Sequence, residues 1–354
     1  MFVNYFRNEK LWYNAHMDRT LETPAIAIIR GGTTPDAREA SLASGSSVYH
    51  TLRDTYDVSD IHLTPAGSFE LDGQPIDIEN FLQNFDGIVF HTLKGKEAGY
   101  IQELCRQYQK ASTGNYHTRY GEAGKLERRD ILRKTGVKTI PYWRLAANYD
   151  AADVTLYEAI LKDLRYPVVI SPLPDAFSVD AVVVRSEGEL LEVLDRCMSL
   201  ESPVTVSDSY KGNLYATVVM QSFREQSPYV FPAYELLHNH DVANAYDQDD
   251  STHRPLSSGP TPDDVIALSK SVFSALHLRD IARVDILETP DNELYVLDVD
   301  PHPALDRHSL VADAAGRVGG TISEVLATVT RHTHKRHKES TKHKKIRNRS
   351  GNLI

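Results

Sequence analysis

Apolar and polar residues alternate along several short stretches of the chain, and the clearest pair flanks a turn-forming string. Residues 281–287 and 293–299 alternate with period two around Glu288-Thr289-Pro290-Asp291-Asn292, which predicts a β-hairpin. Its Arg283, Asp285, Asp298 and Asp300 then share one face. Residues 25–30 predict a strand that runs into Gly31-Gly32 and a helix starting near Arg38. Two further steps follow: a strand at 58–64 with the turn-rich string 67–74, and a strand at 86–93 with a helix around 97–110. Together they predict a small, mainly parallel sheet. A helix at 124–135, a strand at 139–145, a helix at 154–163, strands at 167–171 and 178–185 and a helix at 188–198 make an α+β unit. Strands near 204–208 and 214–221, a polar stretch at 237–260, a helix at 262–276 and the hairpin complete a third. The polar stretch is long for a connector and suits a loop that closes over a site.

Composition adds limits. With 354 residues and 41% hydrophobic content, the chain can bury a core of two or three structural units. No apolar run approaches the roughly 20 residues that span a bilayer, and the first ten residues lack the basic-then-apolar order of a secretory signal. Both point to the cytoplasm. Cys105 and Cys197 are too few for a disulfide framework or thiolate metal site and fall in stretches of helical apolar spacing. Residues 331–354 hold nine Lys and Arg and one Glu, +8 out of a whole-chain charge of −10, so the remainder carries −18. That segment also holds four histidines and almost no apolar residues, which predicts a disordered basic tail. Its charge suits nucleic acid, an acidic partner or simple solvation.

The chemistry concentrates on the hairpin. Three carboxylates are hard oxygen donors of the kind that bind Mg²⁺ bridging nucleotide phosphates, and an arginine can neutralise charge on a transferred phosphoryl group. The plain alternative is the solvated face of an ordinary hairpin. The strand–glycine–helix start at 25–38 offers backbone N–H groups to an anion, a weaker signal.

Four separated strings resemble the D-alanine–D-alanine ligase family of ATP-grasp enzymes, over roughly residues 25–330. They are Gly31-Gly32 with Arg38-Glu39-Ala40-Ser41-Leu42-Ala43-Ser44-Gly45; residues 93–102 followed by Thr113-Gly114 and Lys125-Leu126; Pro167-Val168-Val169-Ile170-Ser171-Pro172; and the hairpin with Asp300-Pro301-His302-Pro303 and Ser309-Leu310. The resemblance implies an α/β and α+β chain: an ATP-grasp fold with an N-terminal Rossmann-like parallel-sheet domain. The expected divisions are an extension at 1–24, an N-terminal α/β domain at 25–112, ATP-grasp subdomains at 113–200 and 201–330, and the basic tail. It implies ATP and Mg²⁺, a D-alanine-like substrate, a homodimer, and a dipeptide product used in peptidoglycan.

The resemblance also implies roles. Glu39 would hold the first substrate's ammonium, Arg283 would stabilise the acyl phosphate and tetrahedral intermediates, and Ser309 would meet the second substrate's carboxylate. Lys125, Ser178 and Asp208 would line the nucleotide, and Asp285, Asp298 and Asp300 would bind magnesium. Several positions depart from the family. Ser171 replaces a phosphate-binding lysine; Ala176, Phe177 and Asp180 replace small loop residues; Ser207 and Asp208 replace a glutamate pair; and Asn213 and Leu214 replace an arginine and a glutamate. No lid lysine is evident, although Tyr246-Asp247 matches a family tyrosine. Three readings follow: a D-alanine-type ligase, a catalytically impaired relative acting as a binding or regulatory module, and, from Lys94 where the family commonly has histidine, a ligase for another substrate.

Overall fold

The computed structural model describes residues 6–8, 24–114, 121–145, 165–172, 182–199, 204–209, 212–222, 227–237, 253–257 and 259–351, with side chains except at 121–123, 125, 171–172, 195, 197–199, 208 and 339–351. The expected helix at 154–163, Ala176, Phe177, Ser178, Asp180 and Tyr246-Asp247 lie outside the described residues, as do the side chains of Lys125, Ser171, Cys197 and Asp208.

The first unit runs β1 (Ala25–Gly31), α1 (Pro35–Leu52), β2 (Val58–Leu63), β3 (Phe69–Leu71), β4 (Gln74–Ile76), α2 (Ile78–Asn84), β5 (Gly87–His91), α3 (Gly95–Gln107) and β6 (Ala111–Ser112). Its sheet has the order β4-β3-β2-β1-β5-β6, parallel across β2-β1-β5-β6. Both faces of β1 are buried, because Ile26 and Ile28 pack with α1 while Ala27 and Ile29 pack with α2 and α3. Such two-sided burial is what turns a strand into a near-continuous apolar run. The string 67–74, expected as turns, instead adds β3 and β4 as an antiparallel edge. Phe69 supplies the buried side chain that a turn would lack.

The second unit holds α4 (Gly121–Lys134), β7 (Tyr142–Leu145), β8 (Val168–Pro172), β9 (Val182–Val184), α5 (Glu187–Ser199) and β10 (Val204–Asp208), in an antiparallel sheet of order β7-β10-β8-β9. The strand expected at 139–145 is shortened, because Thr139 leaves this sheet to bridge Val296, where the Val296 amide donates to the Lys138 carbonyl at 2.8 Å. The third unit holds β11 (Asn213–Met220), β12 (Tyr229–Val230), β13 (Tyr234–Leu236), β14 (His253–Pro255), α6 (Pro262–Ala275), β15 (Ile281–Glu288), β16 (Leu294–Asp300), α7 (Leu310–Arg317) and α8 (Ile322–Gly351). Here the order is β14-β13-β11-β15-β16, with β12 also paired to β11.

Helix α8 corrects the expected disordered tail. The helix continues from Ile322 to Gly351, and Thr330, His332, Thr333 and His334 are buried. Composition misled because the polar groups are satisfied within the helix. Thr328, Thr330 and Thr333 donate to the carbonyls of Glu324, Leu326 and Val329 one turn earlier, at 2.7, 2.8 and 3.1 Å. Val325, Leu326 and Val329 of α8 join one core with α1, β1, β5, β11 and α7. Phe6, from the expected extension, is buried in the same core with its ring centroid 6.1 Å from that of Phe231. Among the described residues no helix is long and apolar enough to cross a membrane.

Candidate functional site

A β-bulge puts the acidic residues where they are. Asp285 pairs with Asp298, but the next residue, Ile286, pairs with Val296, so Leu297 is an extra residue in β16. Ala282, Val284, Ile286, Val296 and Val299 enter the core with α6, whereas Leu287 and Leu297 pack with Ile140 and Leu214 on the opposite face. Leu297 and Asp298 therefore share a face despite being adjacent, as a bulge allows. Strict alternation from Val296 would have turned Asp298 and Asp300 into the apolar layer under α6. The extra residue instead sets them beside Arg283 and Asp285, which bears out the one-face expectation.

The electrostatics of that face are tight. Arg283 Nε donates to Asp285 Oδ1 at 2.7 Å, and both side chains are buried. Burial raises Asp285 to about 6, Arg283 opposes the rise, and the charges of Asp298 and Asp300 add to it. Arg128 Nη2 lies 3.9 Å from Asp298 Oδ1, and Arg129 Nη2 donates to the Leu297 carbonyl at 3.2 Å. Asp300 Oδ1 accepts from the His302 amide at 2.7 Å. Among the described residues, no three His, Cys, Asp or Glu side chains converge to hold a metal unaided. The donors still fit Mg²⁺, which keeps waters and substrate phosphates in its shell and asks only one or two carboxylates of the protein.

The loop after β16 carries this face to the C-terminal edge of the parallel sheet, the edge where open α/β sheets bind ligands. The His302 ring stacks on His91 with centroids 4.6 Å apart, Lys94 Nζ donates to the His302 carbonyl at 2.5 Å, and the Leu305 amide donates to Ser44 Oγ at 3.0 Å. Burial, then Lys94, lowers His302 to about 3, while burial, then His302 and Lys94, puts His91 well below the usual range. Neither imidazole carries charge at neutral pH. On the sheet side, Gly31 leaves β1 at φ 113, and a Cβ there would overlap the Leu63 carbonyl. Its amide donates to Ser41 Oγ at 3.0 Å, which fixes the entry into α1.

Glu39 stands exposed on α1, and Ser309 caps α7: its Oγ donates to the Asp306 carbonyl at 2.7 Å and accepts from the Ala312 amide. Lys125 and Asp208 lie on α4 and β10. Arg283, Asp285, Asp298 and Asp300 are gathered on one face, whereas Glu39 lies on α1 and Ser309 at the start of α7. Sequence reasoning missed Arg128, Arg129 and Asp280, all buried. A signal existed for the arginines: Arg128 stands four residues before the apolar Leu132, and Arg129 three after Leu126 and three before Leu132, the spacings that bring residues together on one side of a helix.

Three comparisons bear on this arrangement. Residues 131–331 match the family described as D-ala D-ala ligase C-terminus. The D-alanine–D-alanine ligase of Xanthomonas axonopodis pv. citri is 26% identical over 301 residues, covering 83% of this chain and 90% of that one. The solved D-alanine–D-alanine ligase of Coxiella burnetii superposes with a TM-score of 0.73 at 17% identity, covering 94% of this chain and all of that one. That of Bacillus anthracis, complexed with ATP, gives 0.68 at 20% identity, covering 90% and 99%. The shared fold is the ATP-grasp architecture preceded by a parallel-sheet domain.

Proposed function

The chain belongs to the D-ala D-ala ligase C-terminus family, and from that premise we propose that it is an ATP-dependent carboxylate–amine ligase. It would join D-alanine or a similar small amino acid to a second amino acid through an acyl phosphate, releasing ADP, phosphate and a dipeptide. The observation that carries the reading is the bulged hairpin, which sets one arginine and three carboxylates on the face leading to the C-terminal edge of the parallel sheet. Bound MgATP would supply the phosphoryl group that activates the first carboxylate.

The chain's own groups would do the rest. Asp285, Asp298 and Asp300 would hold magnesium. Arg283, oriented by Asp285, would meet negative charge growing on the reacting carboxylate and on the transferred phosphoryl group; a fixed cation in a dry site is effective there because it need not reorganise. Glu39, exposed on α1, would take the first ammonium, and the start of α7 at Ser309 the second carboxylate. Lys125, Ser178 and Asp208 would complete the nucleotide side. The same reading divides the chain near 112, 200 and 330, places it in the cytoplasm, and makes it a homodimer, which sedimentation would check.

The test is ADP release with Mg²⁺ and ATP across a panel of D- and L-amino acids. Release that requires an acceptor amino acid supports the ligase, and the amino acid that works best names the substrate. Absence of turnover over the whole panel at high ATP removes it and leaves the binding-module reading suggested by Ser171.

The basic end of α8 supports a second contact. Arg331, Lys335, Lys338, Lys342, Lys345 and Arg349 recur at intervals of four and three along the helix, so the positions fall on one line. Such a line suits a polyanion, either nucleic acid or an acidic protein surface, and salt-dependent binding of an RNA oligonucleotide against an acidic peptide separates the two.

A further inference from the structure

Arg336 lies on α8, beyond residues 131–331 that match the family. Its guanidinium grips one carboxylate with two prongs: Nη1 stands 2.6 Å from Asp280 Oδ1 and Nη2 stands 2.8 Å from Asp280 Oδ2. Nη2 also donates to the Ser112 carbonyl at 3.0 Å. Asp280 is 1% exposed, and its Oδ2 accepts a further bond from the Gly114 amide at 2.9 Å. A single buried carboxylate thus ties α8, the segment after β6, and the entry to β15.

Gly114 in turn sets the loop after β16. It takes φ 86, and a Cβ there would overlap the imidazole of His302, so backbone and ring are in direct contact. His302 donates its amide to Asp300 and accepts Lys94 on its carbonyl. The contacts are continuous from Arg336 through Asp280, Gly114 and His302 to Asp300. A buried ion pair is weak evidence for stability, since desolvation offsets most of the attraction; its better-attested use is to fix register.

We propose that Arg336 is a positioning residue of the site, which holds Gly114 through Asp280 and so fixes His302 and the carboxylate of Asp300. Its consequence for catalysis rests on the ligase reading; its mechanical part does not. Outer partners of this kind typically change metal affinity or activity about 10- to 100-fold when removed.

The test compares Arg336→Ala, Arg336→Lys and Val329→Ala, the last a buried α8 residue apart from the path that controls for loosening of the helix. In the unliganded full chain, hydrogen exchange at 112–114 and 300–305 is expected to rise in Arg336→Ala, to rise less in Arg336→Lys, and to stay near wild type in Val329→Ala. Unchanged exchange in Arg336→Ala, or an equal rise in Val329→Ala, overturns the proposal. In the ADP assay, the Mg²⁺ concentration for half-maximal rate is expected to rise about 10-fold in Arg336→Ala and to fall back on addition of guanidinium. A loss of kcat with no change in Mg²⁺ dependence and no rescue also overturns it. If the wild type releases no ADP, the ligase reading fails while the exchange data still decide the clamp.

Discussion

The two antiparallel sheets bury different side chains. In β7-β10-β8-β9 the described interior is aliphatic, with Leu145, Val168, Ile170, Val184, Val204 and Val206, and its buried polar residues are Thr205 and Ser207. In the sheet of β11 and β13–β16, Arg283, Asp285 and Glu288 are buried in the strands themselves, with Asp280 just before β15. Apolar alternation is enough to build either sheet. Buried charge is not needed for that, costs desolvation, and persists only where partners are arranged for it. The contrast supports the proposal that the phosphoryl chemistry gathers on the second of these sheets; in the first, Ser171 pairs in register with Thr205 on β10, where the resemblance leads one to expect a lysine.

Four changes would break or sharpen this contrast. Arg283→Ala is the largest: removing the cation and leaving Asp285 buried without it is expected to lower ADP release by about 10²- to 10³-fold. A fall of less than threefold in steady-state rate would move the chemistry off the hairpin. Ser171→Lys acts on the other sheet. One charge-assisted bond of about 1.5 kcal/mol would tighten MgATP roughly tenfold in titration calorimetry. Unchanged affinity would mean that this strand position does not face the phosphates.

The third change concerns acid stability. Burial lowers His332 from 6.5 to about 3. Between those values the unfolded chain holds a proton that the folded chain does not, so stability rises with pH across the window and is lost as pH falls through it. His332→Gln should make the slope of unfolding free energy against pH shallower by about one proton there, as read from denaturant titrations. An unchanged slope would show that His332 does not stay neutral in the fold. The smallest effect belongs to Lys138→Ala. The exposed pair of Lys138 and Glu293, 2.7 Å apart, should leave both melting temperature and ADP release at wild-type values.

Much of the frame was legible because it rests on local pattern. The hairpin reads from alternation and its turn string, and β10 from a short β-branched run. What was missed depends on distant partners. The bulge at Leu297 is invisible in Leu294-Tyr295-Val296-Leu297-Asp298-Val299-Asp300, because only α6 above one face decides which residue must step aside. The tail looked unpacked because its partner, Asp280, stands 56 residues away and its threonines satisfy themselves.

The bulge also decides which changes of length β16 can absorb. Deleting Leu297 itself would leave Val296, Asp298, Val299 and Asp300 in strict alternation, each on its present face and each opposite its present partner on β15. What would go is the contact of Leu297 with Ile140, Leu214 and Leu287 and the extra twist that a bulge adds. Removing Val299 instead would bring the Asp300 position into the α6 layer, so the strand tolerates a missing residue at the bulge and not beyond it, and a chain one residue shorter here can keep the same carboxylate face.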